Sequence, residues 1–463
     1  MDALENESNW ATILRVSQRK QAIAPVNSIF FQLLETDYTF GSSYKQNRWY
    51  ESLIRMYGTT ANGATVAVRV HGFLPYFYCD ASNEQIRALS VADIEKRISI
   101  REMRENDEIA PIAKRKRHNH DDNGPHVDHI ERLEKYALIA GDWTPRHVLK
   151  IYTRLPKHVP IVRSCMENWF RDETDPLWVQ TYEADLAFTL RFMVDKQIAG
   201  CDWIKVNISN DSEIYVHSPD HIGKEAEDTI NDDDDDDFHR TIDSPHSTWC
   251  DIEIDVNEKD VICMGHEGEW AAHAPLRIFS FDIECASNEF PNAASGDPVI
   301  TIGCRITDTA TPGRKNDVAV MLQLNSCNAV PVPGVITHWC DTRQLLLLRF
   351  RQLVVQSNPD LMTGYNICNF DFGYIQCAAQ YLGVAKEVLN FSRVKGECLQ
   401  VRIGGSTTTS RAFGTREMDS VKLSGRVPFD LLPAIRQVLC IVFFFACSTL
   451  LLSRIYIYIF AGI

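Results

Sequence analysis

The sequence predicts an α/β protein built in two parts. Three observations lead there. From about residue 274 the pattern runs strand, strand, strand, helix, strand, helix, and helices that return to a mixed sheet define this class. Before it lies a long stretch of aromatic-rich strands with helices between them, a mixed α/β part over residues 26–273. The chain of 463 residues also exceeds what one compact core usually needs.

Residues 1–25 are polar and are expected to be a disordered N-terminus. "YESLIRMYG" and "VAVRVHGFLPYFYCD" read as strands joined by a turn at Asn62-Gly63, a hairpin signal. Ile86, Leu89, Val91, Ile94 and Ile98 recur at near-helical spacing and predict a helix over 83–98. The charged run from Lys114 to Asp122 fits a loop or insertion, and its "KRKRHNH" reads either as a nuclear address or as a basic surface loop. "EKYALIAG" and "HVLKIYTRL" follow as strands, "PIVRSCMENWFRD" as a helix, and Asp202 to Val206 as a strand. Residues 228–237 form an acidic loop whose "NDDDDDDF" lacks the turns that aim metal ligands.

In the second part "LRIFSFDIE", "VITIGCRI" and "DVAVMLQLN" are the three strands. "DTRQLLLLRFRQLVVQS" is an amphipathic helix with Asp341 as its N-cap, "NPDLMTGYNI" a short strand, and Phe370 to Leu382 a helix that Gly383 ends.

The apolar content of 45% describes a globular protein, and a formal charge of −15 is not the usual balance of a nucleic-acid binder. No two cysteines are spaced as C-x-x-C, which argues against zinc ribbons and redox pairs; reduced, buried thiols are expected. The start shows no basic region leading into an apolar core, so an intracellular compartment is expected.

The chemistry starts at "IFSFDIECAS". Side chains alternate along a strand, so Phe279, Phe281 and Ile283 share one face while Asp282 and Glu284 share the other. Such a pair is either a solvated face or half of a cation site. Asp371 opens the helix after the fourth strand, where it is either a cap favoured by the helix dipole or a third carboxylate at the same sheet edge. Three acids gathered there suit Mg²⁺ or Mn²⁺, and two ions about 4 Å apart are the general scheme of phosphodiester cleavage.

The same segments carry a resemblance. "RIFSFDIECAS" and "TGYNICNFDFGYI" are similar to the first and second exonuclease motifs of family B DNA polymerases. "HGFLPYFY" and "TYEADLAFTLRFMVDKQIAGCDW" resemble segments of that family's N-terminal domain, and "SGRVPFDLL" a later part of its exonuclease domain. The resemblance implies an N-terminal domain with an OB-like barrel, then a ribonuclease-H-like 3′-to-5′ proofreading exonuclease domain over 274–437. It implies Asp282, Glu284 and Asp371 as ligands of two Mg²⁺ or Mn²⁺ ions, with Glu284 also orienting the attacking water. Asn366 and Phe370 would contact the terminal nucleotides of a frayed strand, although Phe370 fits core packing equally and Tyr365 and Tyr374 fit it better. The implied partners are DNA, accessory polymerase subunits and a sliding clamp, and the implied location is the nucleus.

Departures from the family accompany it. The third exonuclease motif, with its tyrosine and further aspartate, has no counterpart, nor do the polymerising domains and the cysteine-rich modules; an incomplete exonuclease domain without a polymerase site is expected. Gly373 stands where the second motif usually has proline. Residues 438–463 form an apolar tail broken at Ser453-Arg454, read as a translation artefact rather than a membrane span, since about 20 apolar residues are needed to cross. A non-catalytic nucleic-acid-binding fragment and a membrane-anchored protein are the alternatives.

Overall fold

The computed structural model describes residues 3–17, 19, 22–42, 50–108, 124–136, 144–170, 178–210, 212–217, 247–287, 291–310, 317–325, 332–410 and 414–436. The basic run from Lys114, the aspartate run, the apolar tail and the end of the expected strand "EKYALIAG" lie outside them.

The first part combines α1 (Ala3–Ser17), β1 (Ser28–Ser42), β2 (Tyr50–Thr60), β3 (Thr65–His71), β4 (Tyr76–Asp80), α2 (Glu84–Arg87), α3 (Val91–Glu108), β5 (Val127–Tyr136) and β6 (Pro145–Thr153). It continues with α4 (Val159–Glu167), β7 (Thr181–Tyr182), α5 (Phe188–Asp195), β8 (Trp203–Asn207), β9 (Glu213–Val216), β10 (Ile252–Asn257) and β11 (Val261–Gly265). Two sheets result. A larger one has the order β11-β8-β1-β2-β3-β10-β9 and buries Phe31, Ile54, Val68 and Ile254 with Phe192 of α5. A smaller one, β5-β6-β4-β7, packs Phe77, Leu149 and Ile151 against Ile94 of α3 and Met166 of α4.

The expected Asn62-Gly63 hairpin is present as the antiparallel pair β2 and β3. Gly63 takes φ of 83°, the left-handed turn conformation that only glycine adopts freely, and donates its amide to Thr60 at 2.9 Å. The predicted helix over 83–98 is two, α2 and α3.

The second part comprises β12 (Arg277–Cys285), β13 (Val299–Asp308), β14 (Val318–Leu324), β15 (Val335–Cys340), α6 (Arg343–Ser357), β16 (Leu361–Gly364), α7 (Asp371–Tyr381), α8 (Ala385–Val388), β17 (Gln400–Ser410), β18 (Gly414–Lys422) and β19 (Val427–Asp430). Its sheet runs β15-β14-β13-β12-β16-β19: β12 is antiparallel to β13 and parallel to β16, which is parallel to β19. Phe279, Phe281 and Ile283 point into a core with Phe350 of α6 and Phe372 of α7, as the alternation requires. Thr342, not Asp341, caps α6, its hydroxyl accepting the Leu345 amide at 3.1 Å. Gly383, at φ of 71°, follows α7 as expected.

The N-terminus departs from expectation. Residues 3–17 are helical, and Trp10 and Ile13 are buried in the core of the second part. The Trp10 ring lies 4.9 Å from that of His338, and the Asn6 side chain bonds both the N–H and the C=O of Trp339 on the outer strand β15. Beyond the helix, the guanidinium of Arg19 reaches the buried Asp360 at 2.6 Å. Asp360 also accepts from Arg393 at 2.5 Å, the Arg277 amide at 2.7 Å and Thr59 of β2 at 3.0 Å, so the two parts meet on one carboxylate.

Candidate active site

Strand β12 aims Asp282 and Glu284 away from the core, both exposed. The second acidic stretch comes to meet them. Helix α7 starts at Asp371, and the preceding Phe370 supplies no side-chain cap. The Asp371 carboxylate accepts the backbone N–H of Ile283 at 3.1 Å, the residue between Asp282 and Glu284. One hydrogen bond therefore links the two stretches.

Asp371 is 1% exposed. Burial, then the charge of Asp282, pushes its carboxyl up to about 7, against the pull of the Ile283 amide. A buried carboxylate beside another negative charge is stabilised by a hard cation, and an all-oxygen donor set suits Mg²⁺ or Mn²⁺. The residues thus fit such an ion in kind. Among the described residues, however, no three His, Cys, Asp or Glu side chains converge tightly enough to hold one as they stand.

The loop between β16 and α7 carries the remaining candidates. Gly364 lets β16 pass close to β12: a Cβ there would lie 2.5 Å from the Phe281 carbonyl oxygen. Asn366 adopts φ of 62°, and its carbonyl accepts the amides of Asn369 and Phe370 at 3.2 and 3.1 Å. Its side-chain oxygen accepts from Asn369 at 3.1 Å. Phe370 is half-buried, its ring 5.5 Å from that of Tyr374. Tyr374 is core, as expected, with its hydroxyl donating to the Asp297 carbonyl at 3.1 Å. Tyr365 is not: it is 61% exposed beside the loop.

A residue that sequence reasoning passed over also stands here. Asp430, at the end of β19, accepts the amides of Asn366 at 2.9 Å and Cys368 at 3.1 Å, and its charge adds to the upward push on Asp371. The available signal was its place at the carboxyl end of a short strand in "SGRVPFDLL", where α/β sheets gather functional groups.

With this geometry in hand, comparison with known proteins is decisive for the class. The pattern described as "DNA polymerase family B, exonuclease domain" matches residues 179–440, more than half of the chain. The chain belongs to the family B DNA polymerases. Within that family it resembles DNA polymerase delta catalytic subunits: it is 32% identical over 445 residues to that of Arabidopsis thaliana and 32% identical over 392 residues to that of Drosophila melanogaster. These alignments cover 94% and 82% of this chain but 36% and 31% of the relatives, so it spans about a third of their length. The family B DNA polymerase of Pyrobaculum calidifontis shares the fold over 88% of this chain and 37% of its own, with a TM-score of 0.53 at 18% identity.

Proposed function

We propose that this chain is the N-terminal and exonuclease portion of a delta-type replicative DNA polymerase subunit, carrying its 3′-to-5′ exonuclease site in incomplete form. The observation that carries the reading is the bond from the Ile283 amide to Asp371, which ties the first acidic pair to the second acidic stretch. The sheet order around β12 supports a ribonuclease-H-like domain over 274–437, preceded by an N-terminal domain built on the seven-stranded sheet.

In this reading Asp282, Glu284 and Asp371 hold Mg²⁺ or Mn²⁺. Bound there, such ions supply Lewis acidity and a water that ionises near neutral pH. Glu284, exposed beside Asp282, would help orient the attacking water. Asn366 positions the terminal nucleotide of a single strand, and Phe370 offers a ring on which any base stacks. Weak exonuclease activity is expected of the first two motifs alone. In this reading the partners are DNA, accessory polymerase subunits and a sliding clamp, and the location is the nucleus. No helix among the described residues is long and apolar enough to cross a bilayer, and the apolar run over 438–463 lies outside them.

The test uses the purified chain with a labelled single-stranded oligonucleotide and Mn²⁺. Slow shortening from the 3′ end is expected, abolished by the double substitution Asp282→Asn, Glu284→Gln. Degradation that survives this change rejects the site.

A second reading is binding of nucleic acid without cleavage. Salt-sensitive oligonucleotide binding with no shortening would support it.

A further inference from the structure

The loop between β16 and α7 is irregular, yet it is suspended from one side chain. Asp430 sits at the end of β19, opposite Gly364 in the parallel pairing with β16, and is 8% exposed. One carboxylate oxygen accepts the Asn366 amide and, locally, the Leu432 amide, each at 2.9 Å; the other accepts the Cys368 amide at 3.1 Å. A cap for its own turn would account for Leu432 alone. The two loop amides are 62 and 64 residues away.

What hangs from this anchor is the start of α7. The carbonyl of Asn366 accepts the Phe370 amide at 3.1 Å, and that of Ile367 accepts the Phe372 amide at 3.0 Å. Asp371 lies between those two residues and reaches the Ile283 amide. The path from Asp430 to β12 therefore runs through backbone bonds in the loop and closes at each end on a carboxylate. It holds Asn366 in its left-handed conformation, which an L-residue rarely adopts without support. Since both Asp430 oxygens are taken by amides, its chemistry here is that of an anchor and not of an ion ligand.

We propose that Asp430 is a positioning residue of the candidate active site: by fixing the amides of Asn366 and Cys368 it sets the loop that delivers Asp371 to β12. Its effect on ion binding rests on the nuclease reading above, while its hold on the loop does not.

The experiment uses the full chain with Asp430→Asn, which keeps the shape but puts an NH₂ toward a backbone N–H, and Asp430→Ala as the complete removal. Hydrogen exchange should quicken at the Asn366 and Cys368 amides of Asp430→Asn while the amides between β12 and β13 keep their protection. Titration with Mn²⁺ well below the unfolding transition of both proteins should show affinity about tenfold weaker than wild type, the usual size of an effect transmitted through a ligand's support. Unchanged exchange at both amides overturns the proposal. So does equal Mn²⁺ affinity when the wild type binds. A wild type that takes up no Mn²⁺ rejects the nuclease reading instead, and the exchange data then decide on Asp430 alone. If Asp430→Ala fails to fold, exchange and Mn²⁺ titration of the isosteric variant still decide the question.

Discussion

Two glycines near the site act in opposite ways. A methyl at Gly364 would meet the Phe281 carbonyl oxygen and the Ile367 side chain, both at 2.5 Å, so β16 and β12 would have to part. Gly364→Ala should cost about 1–3 kcal/mol, the usual range for overpacking. At Gly373 the nearest atom to an added Cβ is on Val401 at 3.9 Å, an ordinary contact. Gly373→Ala should therefore stabilise by about 0.5–1 kcal/mol through lost freedom of the unfolded chain. Urea unfolding of the two variants checks both signs. The acids on β12 were legible because strand alternation is local, and Asp371 because a helix start is local too. Asp430 was not, because its role arises from a parallel pairing between strands 66 residues apart. Tyr365 was misjudged because exposure at a loop depends on neighbours the pattern does not contain.

Among the elements, strand β3 shows how cross-strand ion pairs make stability depend on pH. His71 bonds Glu51 of β2 at 2.8 Å and Asp255 of β10 at 2.9 Å, and Arg69 shares Asp255 from the same strand. Burial pulls the imidazole down, but the bonds to Asp255 and Glu51 outweigh it and hold the ring up at about 9, from an ordinary value of 6.5. A raised folded value means that the contribution is complete below about 6.5 and disappears as pH rises through about 9. The stability gap between wild type and His71→Gln should be widest near pH 6 and shrink toward pH 10 in denaturant titrations. Elements with clean local signals, such as the β2–β3 hairpin and α6, were readable. Strand β1 was hidden by a bulge between Leu33 and Glu35 that breaks its alternation. Helix α1 was hidden because most of its apolar residues, Trp10, Ala11, Ile13, Leu14 and Val16, crowd into its second half after a polar start, and its burial comes from a sheet far away in sequence.

For the whole molecule, the junction on Asp360 decides how the two parts hold together. Burial raises its carboxyl, but Arg19 and Arg393 more than reverse this and leave it well below the ordinary carboxylate range. Its contribution is therefore present throughout neutral and mildly acidic pH, and is lost only in strong acid as pH falls through that depressed value. Asp360→Asn would leave Arg19 and Arg393 as buried charges without a counter-ion. A loss of about 3–5 kcal/mol is expected, measured by urea unfolding at pH 7. That the strands before residue 274 and those after it form separate sheets was legible from element order. That the earlier strands and the later sheet share a single buried carboxylate was not, since no local pattern encodes it.

The grip of Asn6 on Trp339 spans 333 residues of chain. During synthesis the opening helix leaves the ribosome long before its docking surface exists, at ordinary elongation rates of about 5–20 residues per second. It must wait, tethered and unpaired, while the intervening strands assemble. Docking of this helix has to follow the emergence of β15, and the contact then closes a loop of 333 residues.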